Sequence, residues 1–150
     1  MMRRTSVGDL AVPAILAGGL GYLLIRQYYE SLPTLRYGIA VPIAALALLE
    51  FAASRRVRAA VQHRPGARPM TALAIARCLA LAKASSLVAA LLIGLIAALL
   101  VRVVPDAGDV DAARNDMVAA LVWLVASIGL VISALILERA AVDPGHNRRS

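Results

Sequence analysis

The stretch from Leu79 to Val104, LALAKASSLVAALLIGLIAALLVRVV, decides the fold. Its only charged residues are Lys83 and Arg102, which leave roughly 18 uninterrupted apolar or small residues between them, a length typical of a transmembrane helix. Pro105 follows the stretch and is expected to end the helix. The sequence therefore predicts a helix that crosses a membrane over residues 79–104.

The composition of the whole chain agrees with a membrane protein. Of its 150 residues 61% are hydrophobic and 17% are charged, and the mean hydropathy is +0.77, whereas soluble proteins are about 45 to 50% apolar and about 25% charged. An ordinary soluble domain and a disordered chain are both excluded. Cys78 is the only cysteine and His63 and His146 are the only histidines, so we expect no disulfide, no metal site and no cofactor.

Three further apolar runs bring the predicted number of spans to four. They cover about residues 8–28, 37–54 and 116–138, with Asn115 or Asp116 as the N-cap of the last. We therefore predict an all-α polytopic membrane protein, with one domain over residues 1–150 and four transmembrane helices in an antiparallel bundle. A cleaved signal peptide is the alternative for the first run. The apolar run continues from Gly21 to Ile25, which favours a retained helix.

The distribution of basic residues predicts the orientation. Four spans place both termini on one side, and 12 of the 16 Lys and Arg residues fall in the N-terminal tail, the loop at 55–78, the adjoining start of the third span, or the tail at 139–150. Basic residues near span ends are retained in the cytoplasm, so both termini are expected there, in a multi-pass protein of the cell inner (plasma) membrane. The loop is expected to contact the anionic lipids of the inner leaflet and no nucleic acid, since no aromatic residues are interleaved with its arginines, Arg55, Arg56, Arg58, Arg64 and Arg68.

Small residues recur at helical spacing in the third span. Because the hydrophobic effect does not drive helices together in lipid, close approach through small side chains supplies much of the packing. Gly18 and Gly21 give the first span a shorter pattern of the same kind. An alanine-rich composition could produce such patterns by chance, but an uninterrupted run of five favours a helix contact. These five residues are Ala82, Ser86, Ala90, Gly94 and Ala98.

Glu50, Lys83 and Glu138 are candidates for an ion pair within the membrane. Glu50 and Lys83 are predicted at similar depths, and a charge inside a span usually finds a partner or reaches water, so an ion pair between them is expected. Glu138 is the competing partner for Lys83. Two other interpretations of Glu50 stay open: a protonated side chain without a function, and a proton-coupled transport site.

The segment from Ala76 to Gly94, ARCLALAKASSLVAALLIG, contains the pattern Arg-x5-Lys-Ala-Ser-Ser. Together with Val104-Pro105 at the end of the third span and Leu137-Glu138 at the end of the fourth, a shortened form of the family's Leu-x-Glu, it resembles the actinobacterial membrane proteins of the domain of unknown function 3180 family. The resemblance covers nearly the whole chain and implies an integral membrane protein without an assigned activity, whose genes often lie near folate-biosynthesis genes. The aromatic, Cys- and Pro-rich ending that the family tends to have is missing here. The signature positions carried over are Arg77, Lys83, Ser85, Ser86 and Glu138.

Two functions follow as expectations. The first is a noncatalytic accessory or scaffold component of a membrane assembly, which is not an enzyme and whose partner is a second copy or another membrane protein. The second is a small permease, or a permease subunit, for an anionic or pterin-like metabolite, with Arg77 and Lys83 near its cytoplasmic mouth. A scaffold predicts a dry bundle, while a permease predicts polar residues from several helices around a cavity.

Overall fold

The computed structural model describes residues 7–28, 38, 40–62, 70–108 and 110–141. Four α-helices account for nearly all of them: α1 (Val7–Tyr28), α2 (Ala40–Val61), α3 (Ala72–Val103) and α4 (Asp111–Ala141). A 3-10 turn, Val104–Asp106, follows α3. The part of the chain that the structure describes contains no β-strand, which confirms the all-α prediction.

Three helices have different limits from those predicted. α3 begins at Ala72, ahead of the predicted start at residue 79 and within the predicted loop. α2 continues to Val61, so that three arginines predicted in a loop lie on a helix, in a sequence of alanines and arginines that favours helix. α4 begins at Asp111. Asn115 and Asp116 therefore lie inside α4, and neither is its N-cap.

Three of the helices are long and apolar enough to cross a membrane. These segments are Gly8–Tyr28, Ala72–Asp106 and Asp111–Ala141, in which a stretch of 18 residues has a mean hydropathy of 1.6, 2.8 and 2.6, respectively. In α2 the apolar part that the structure describes runs from Ala40 to Ala53, about 14 residues or about 21 Å of helix, against a hydrocarbon thickness of about 30 Å. Composition and length thus identify three spans, not four, among the described residues.

The helices pack in the order α1, α3, α4, α2. α1 packs against α3, α3 against α4, and α4 against α2, while α2 touches α3 at only a few positions. Within the described residues α1 and α2 do not meet. The arrangement is an open bundle, in which α1 has α3 as its one helical partner.

α1 and α3 run in the same direction. Gly18 lies against Gly94, and Gly21, one turn further along α1, lies against Ala98, one turn further along α3. Ile25, another turn on, packs against the apolar cluster at the C-terminal end of α3. Contacts that advance together along both helices identify a parallel pair.

The other neighbours follow from two apolar clusters. At the end of α3 Val103 clusters with Ala113 of α4, whereas near its start Ala82 clusters with Leu137 of α4 and Val57 of α2. α3 and α4 are therefore antiparallel. Since the C-terminal part of α2 meets the C-terminal part of α4, α2 is parallel to α4 and antiparallel to α3.

Candidate functional site

α1 and α3 approach each other closely at Gly94. A Cβ atom on Gly94 would lie 2.0 Å from the carbonyl oxygen of Ala14 and 2.9 Å from the amide nitrogen of Gly18. The α1 backbone therefore occupies the place of a side chain, in the geometry of the Cα–H···O contacts that recur where helices cross closely. Any residue larger than glycine at position 94 would push α1 away.

The small-residue stripe of α3 faces the protein interior. All five of its members are buried. On the other side of α3, Leu87, Leu91 and Leu95 are exposed, although Leu99 is buried. α3 thus has one side for helix contacts and one for lipid. The small-residue stripe consists of Ala82, Ser86, Ala90, Gly94 and Ala98.

Glu50 lies in the interior where α2, α3 and α4 meet. Its side chain is 1% exposed, and the hydroxyls of Ser85 on α3 and Ser133 on α4 face its carboxyl group. Neither carboxyl oxygen of Glu50 has a hydrogen-bond partner, however, because neither hydroxyl has the geometry of a hydrogen bond to it. The Ser133 hydroxyl donates instead to the carbonyl oxygen of Leu130, at 3.0 Å.

The expected ion pair between Glu50 and Lys83 is not formed as a hydrogen-bonded pair. Neither oxygen of Glu50 has a hydrogen-bond partner, and Ser85, two positions after Lys83 on α3, faces the carboxyl group. Two positions are about 3 Å along a helix but about 200° around it, so Lys83 lies at a similar depth on a different face of α3. The pairing of Lys83 with Glu138 stays a prediction, and the clustering of Ala82 with Leu137 places the two side chains at one level of the bundle.

The signature residues carried over from the family resemblance lie on two helices and differ in exposure. Ser85, Ser86 and Glu138 are buried, Lys83 is half-buried and Arg77 is exposed. The Ser86 hydroxyl donates to the carbonyl oxygen of Lys83, at 2.9 Å, which satisfies a polar group inside the bundle without help from another helix.

The basic residues of the predicted loop divide into two groups. Arg55, Arg56 and Arg58 are exposed on α2, and the guanidinium of Arg55 lies 4.8 Å from the ring centroid of Phe51, a cation–π contact. Arg64 and Arg68 lie outside the described residues.

Two buried serines of α4 belong to the polar interior. Ser133 faces Glu50, and the hydroxyl of the fully buried Ser127 has no hydrogen-bond partner. Residues six apart do not lie on the same face of a helix, so the spacing of these serines gives no periodic pattern. A serine within an apolar run nevertheless favours the side of the helix that faces other helices.

No cluster of three or more potential metal ligands occurs among the described residues, and Cys78 is a half-buried free thiol. In the part of the chain that the structure covers, the buried polar side chains are two carboxylic acids, Glu50 and Glu138, and several hydroxyls.

Comparison with known proteins gives one match. Residues 10–144 match the family described as "Protein of unknown function (DUF3180)". No curated protein and no solved structure matches the chain. Because the matched segment includes α1, α2, α3 and α4 almost entirely, the chain belongs to the DUF3180 family.

Proposed function

We propose that the protein crosses the membrane four times, with both termini in the cytoplasm, and acts as a noncatalytic scaffold or accessory component of a membrane assembly. The parallel packing of α1 and α3 supports the fourth crossing. If both helices cross in the same direction, the chain between Tyr28 and Ala72 must return through the bilayer, and α2 is antiparallel to α3. α2 is therefore the returning span, despite its short apolar part.

The closed interior is the observation that favours a scaffold. Both carboxyl oxygens of Glu50 are shielded from solvent. In this conformation a solute therefore has no open path to Glu50. A transporter could use small residues to line a passage. Here the small residues of α3 pack against other helices instead, as Gly94 does against α1.

The outer side of α1 supplies a surface for an assembly. Among the described helices, α1 contacts only α3. On the outer side of α1, Leu16, Leu20 and Leu24 form a ridge at helical spacing, and each is more than 60% exposed. Such a ridge packs equally well against lipid tails and against an apolar partner helix, so experiment has to separate the two.

Site-specific photo-crosslinking in native membranes provides this test. A photo-reactive residue at Leu20 is expected to give a discrete adduct with a second copy or another membrane protein, while the same residue at Leu48, exposed on α2, serves as the matched control. Lipid adducts alone at both positions would contradict the scaffold proposal.

A permease is the second candidate, and one observation favours it: polar side chains from three helices, Glu50, Ser85 and Ser133, converge on one point. This interpretation requires a second conformation that opens the site. Purified protein in sealed vesicles should then move protons or a pterin-like anion, and Glu50→Gln should abolish the movement. If the protein is a scaffold, vesicles with the wild type and vesicles with Glu50→Gln should both show the flux of protein-free vesicles.

A further inference from the structure

Two contiguous depressions lie between α2 and α4. The first is an apolar groove of about 410 Å³, in which small residues, among them Ala47 of α2 and Gly129 of α4, leave room between the helices. The second is a cavity of about 540 Å³ towards the C-terminal ends of the same helices. Phe51 and Ile136 line both, so the groove opens into the cavity.

The cavity is strongly basic. Its walls carry Arg55 and Arg58 from α2 and Arg139 from α4, all three exposed. None of the three forms an ion pair with a carboxylate in the part of the chain that the structure describes. Phe51 holds the Arg55 guanidinium by its cation–π contact, at the boundary between the basic cavity and the apolar groove.

We infer that this pair of depressions binds an anionic glycerophospholipid, with its phosphate among Arg55, Arg58 and Arg139 and an acyl chain in the groove past Gly129. Arginine forks bind phosphate oxygens by two parallel hydrogen bonds, and basic pockets between membrane helices at the cytoplasmic face hold anionic headgroups.

The groove has the chemistry and the space for an acyl chain. A Cβ atom on Gly129 would meet nothing within 4 Å, so the surface there is open rather than filled by a neighbouring helix. The lipid site goes beyond the proposed scaffold role and is independent of it. It requires only that the C-terminal ends of α2 and α4 lie at one membrane surface.

Lipid retention by the purified full-length protein tests this site. Native mass spectrometry after addition of phosphatidylglycerol or phosphatidylcholine in mild detergent should show about tenfold stronger binding of phosphatidylglycerol. The triple variant Arg55→Gln, Arg58→Gln, Arg139→Gln should lose that preference. A matched triple variant, Arg26→Gln, Arg77→Gln, Arg114→Gln, changes the net charge equally at exposed positions away from the cavity and should keep it.

A further variant tests the apolar groove separately from the arginines. Gly129→Leu fills the groove without changing any charge and should weaken phosphatidylglycerol binding several-fold, while Gly19→Leu, at an equally open glycine of α1, should not. The proposal is overturned if both lipids are retained equally, if the two triple variants lose binding to the same extent, or if Gly129→Leu binds as well as the wild type.

Discussion

The bundle joins its helices in two different ways. Where α1 meets α3, backbone lies against backbone, and the Ala14 carbonyl oxygen fills the space beside Gly94. Where α2 meets α3 and α4, a buried carboxyl group without a hydrogen bond lies between two hydroxyls. The first contact depends on shape and tolerates no added atom, whereas the second depends on polar groups that can be replaced without adding an atom.

The largest effect is expected at the backbone contact. Gly94→Ala places a methyl group on the Ala14 carbonyl oxygen, and overpacking of this kind costs about 1 to 3 kcal/mol. Denaturant titration in detergent should show this loss of unfolding free energy. Gly19→Ala, where the added methyl meets nothing, is the matched control and should be neutral or slightly stabilising. Equal effects at the two glycines would show that α1 does not approach α3 so closely.

An intermediate effect is expected from Lys83 and Glu138. Their neighbours Ala82 and Leu137 cluster together, so we predict that the two side chains interact across α3 and α4. A double-mutant cycle with Lys83→Met and Glu138→Gln should give a coupling free energy of about 0.5 to 3 kcal/mol. Additive single effects would rule out this pair.

The smallest effect is expected at Glu50. Glu50→Gln keeps the size of the side chain and breaks no hydrogen bond to either oxygen, so the unfolding free energy in mild detergent should change little. Loss of a buried ion pair would instead cost about 3 to 5 kcal/mol. A loss of that size would restore the ion pair that the sequence suggested.

The sequence pattern indicated the helices and the inward side of α3 because both depend on periodicity along one helix. Ala90 and Gly94 could be placed on one face from their spacing alone, and both are buried. The identity of the helix that covers Gly94 depends on how separate helices pack, for which a single sequence carries no comparable signal.

The polar interior shows the limit of depth arguments. Counting residues from Arg55 and Arg102 put Glu50 and Lys83 at similar levels, but depth does not tell which face of α3 meets α2, and Ser85, two positions after Lys83, faces Glu50. The basic cavity was missed for a related reason. Arg139 and Arg55 are 84 positions apart in sequence, and only the parallel packing of α2 and α4 brings them together.

Accessibility of single cysteines tests the four crossings most directly. In a background with Cys78→Ser, a membrane-impermeant maleimide should label Gly38→Cys and Val110→Cys in intact cells and should label Ala60→Cys only after permeabilisation. Labelling of position 60 from outside while position 110 stays protected would reverse the orientation. Positions 38 and 60 reacting from the same side would show that α2 does not cross the membrane.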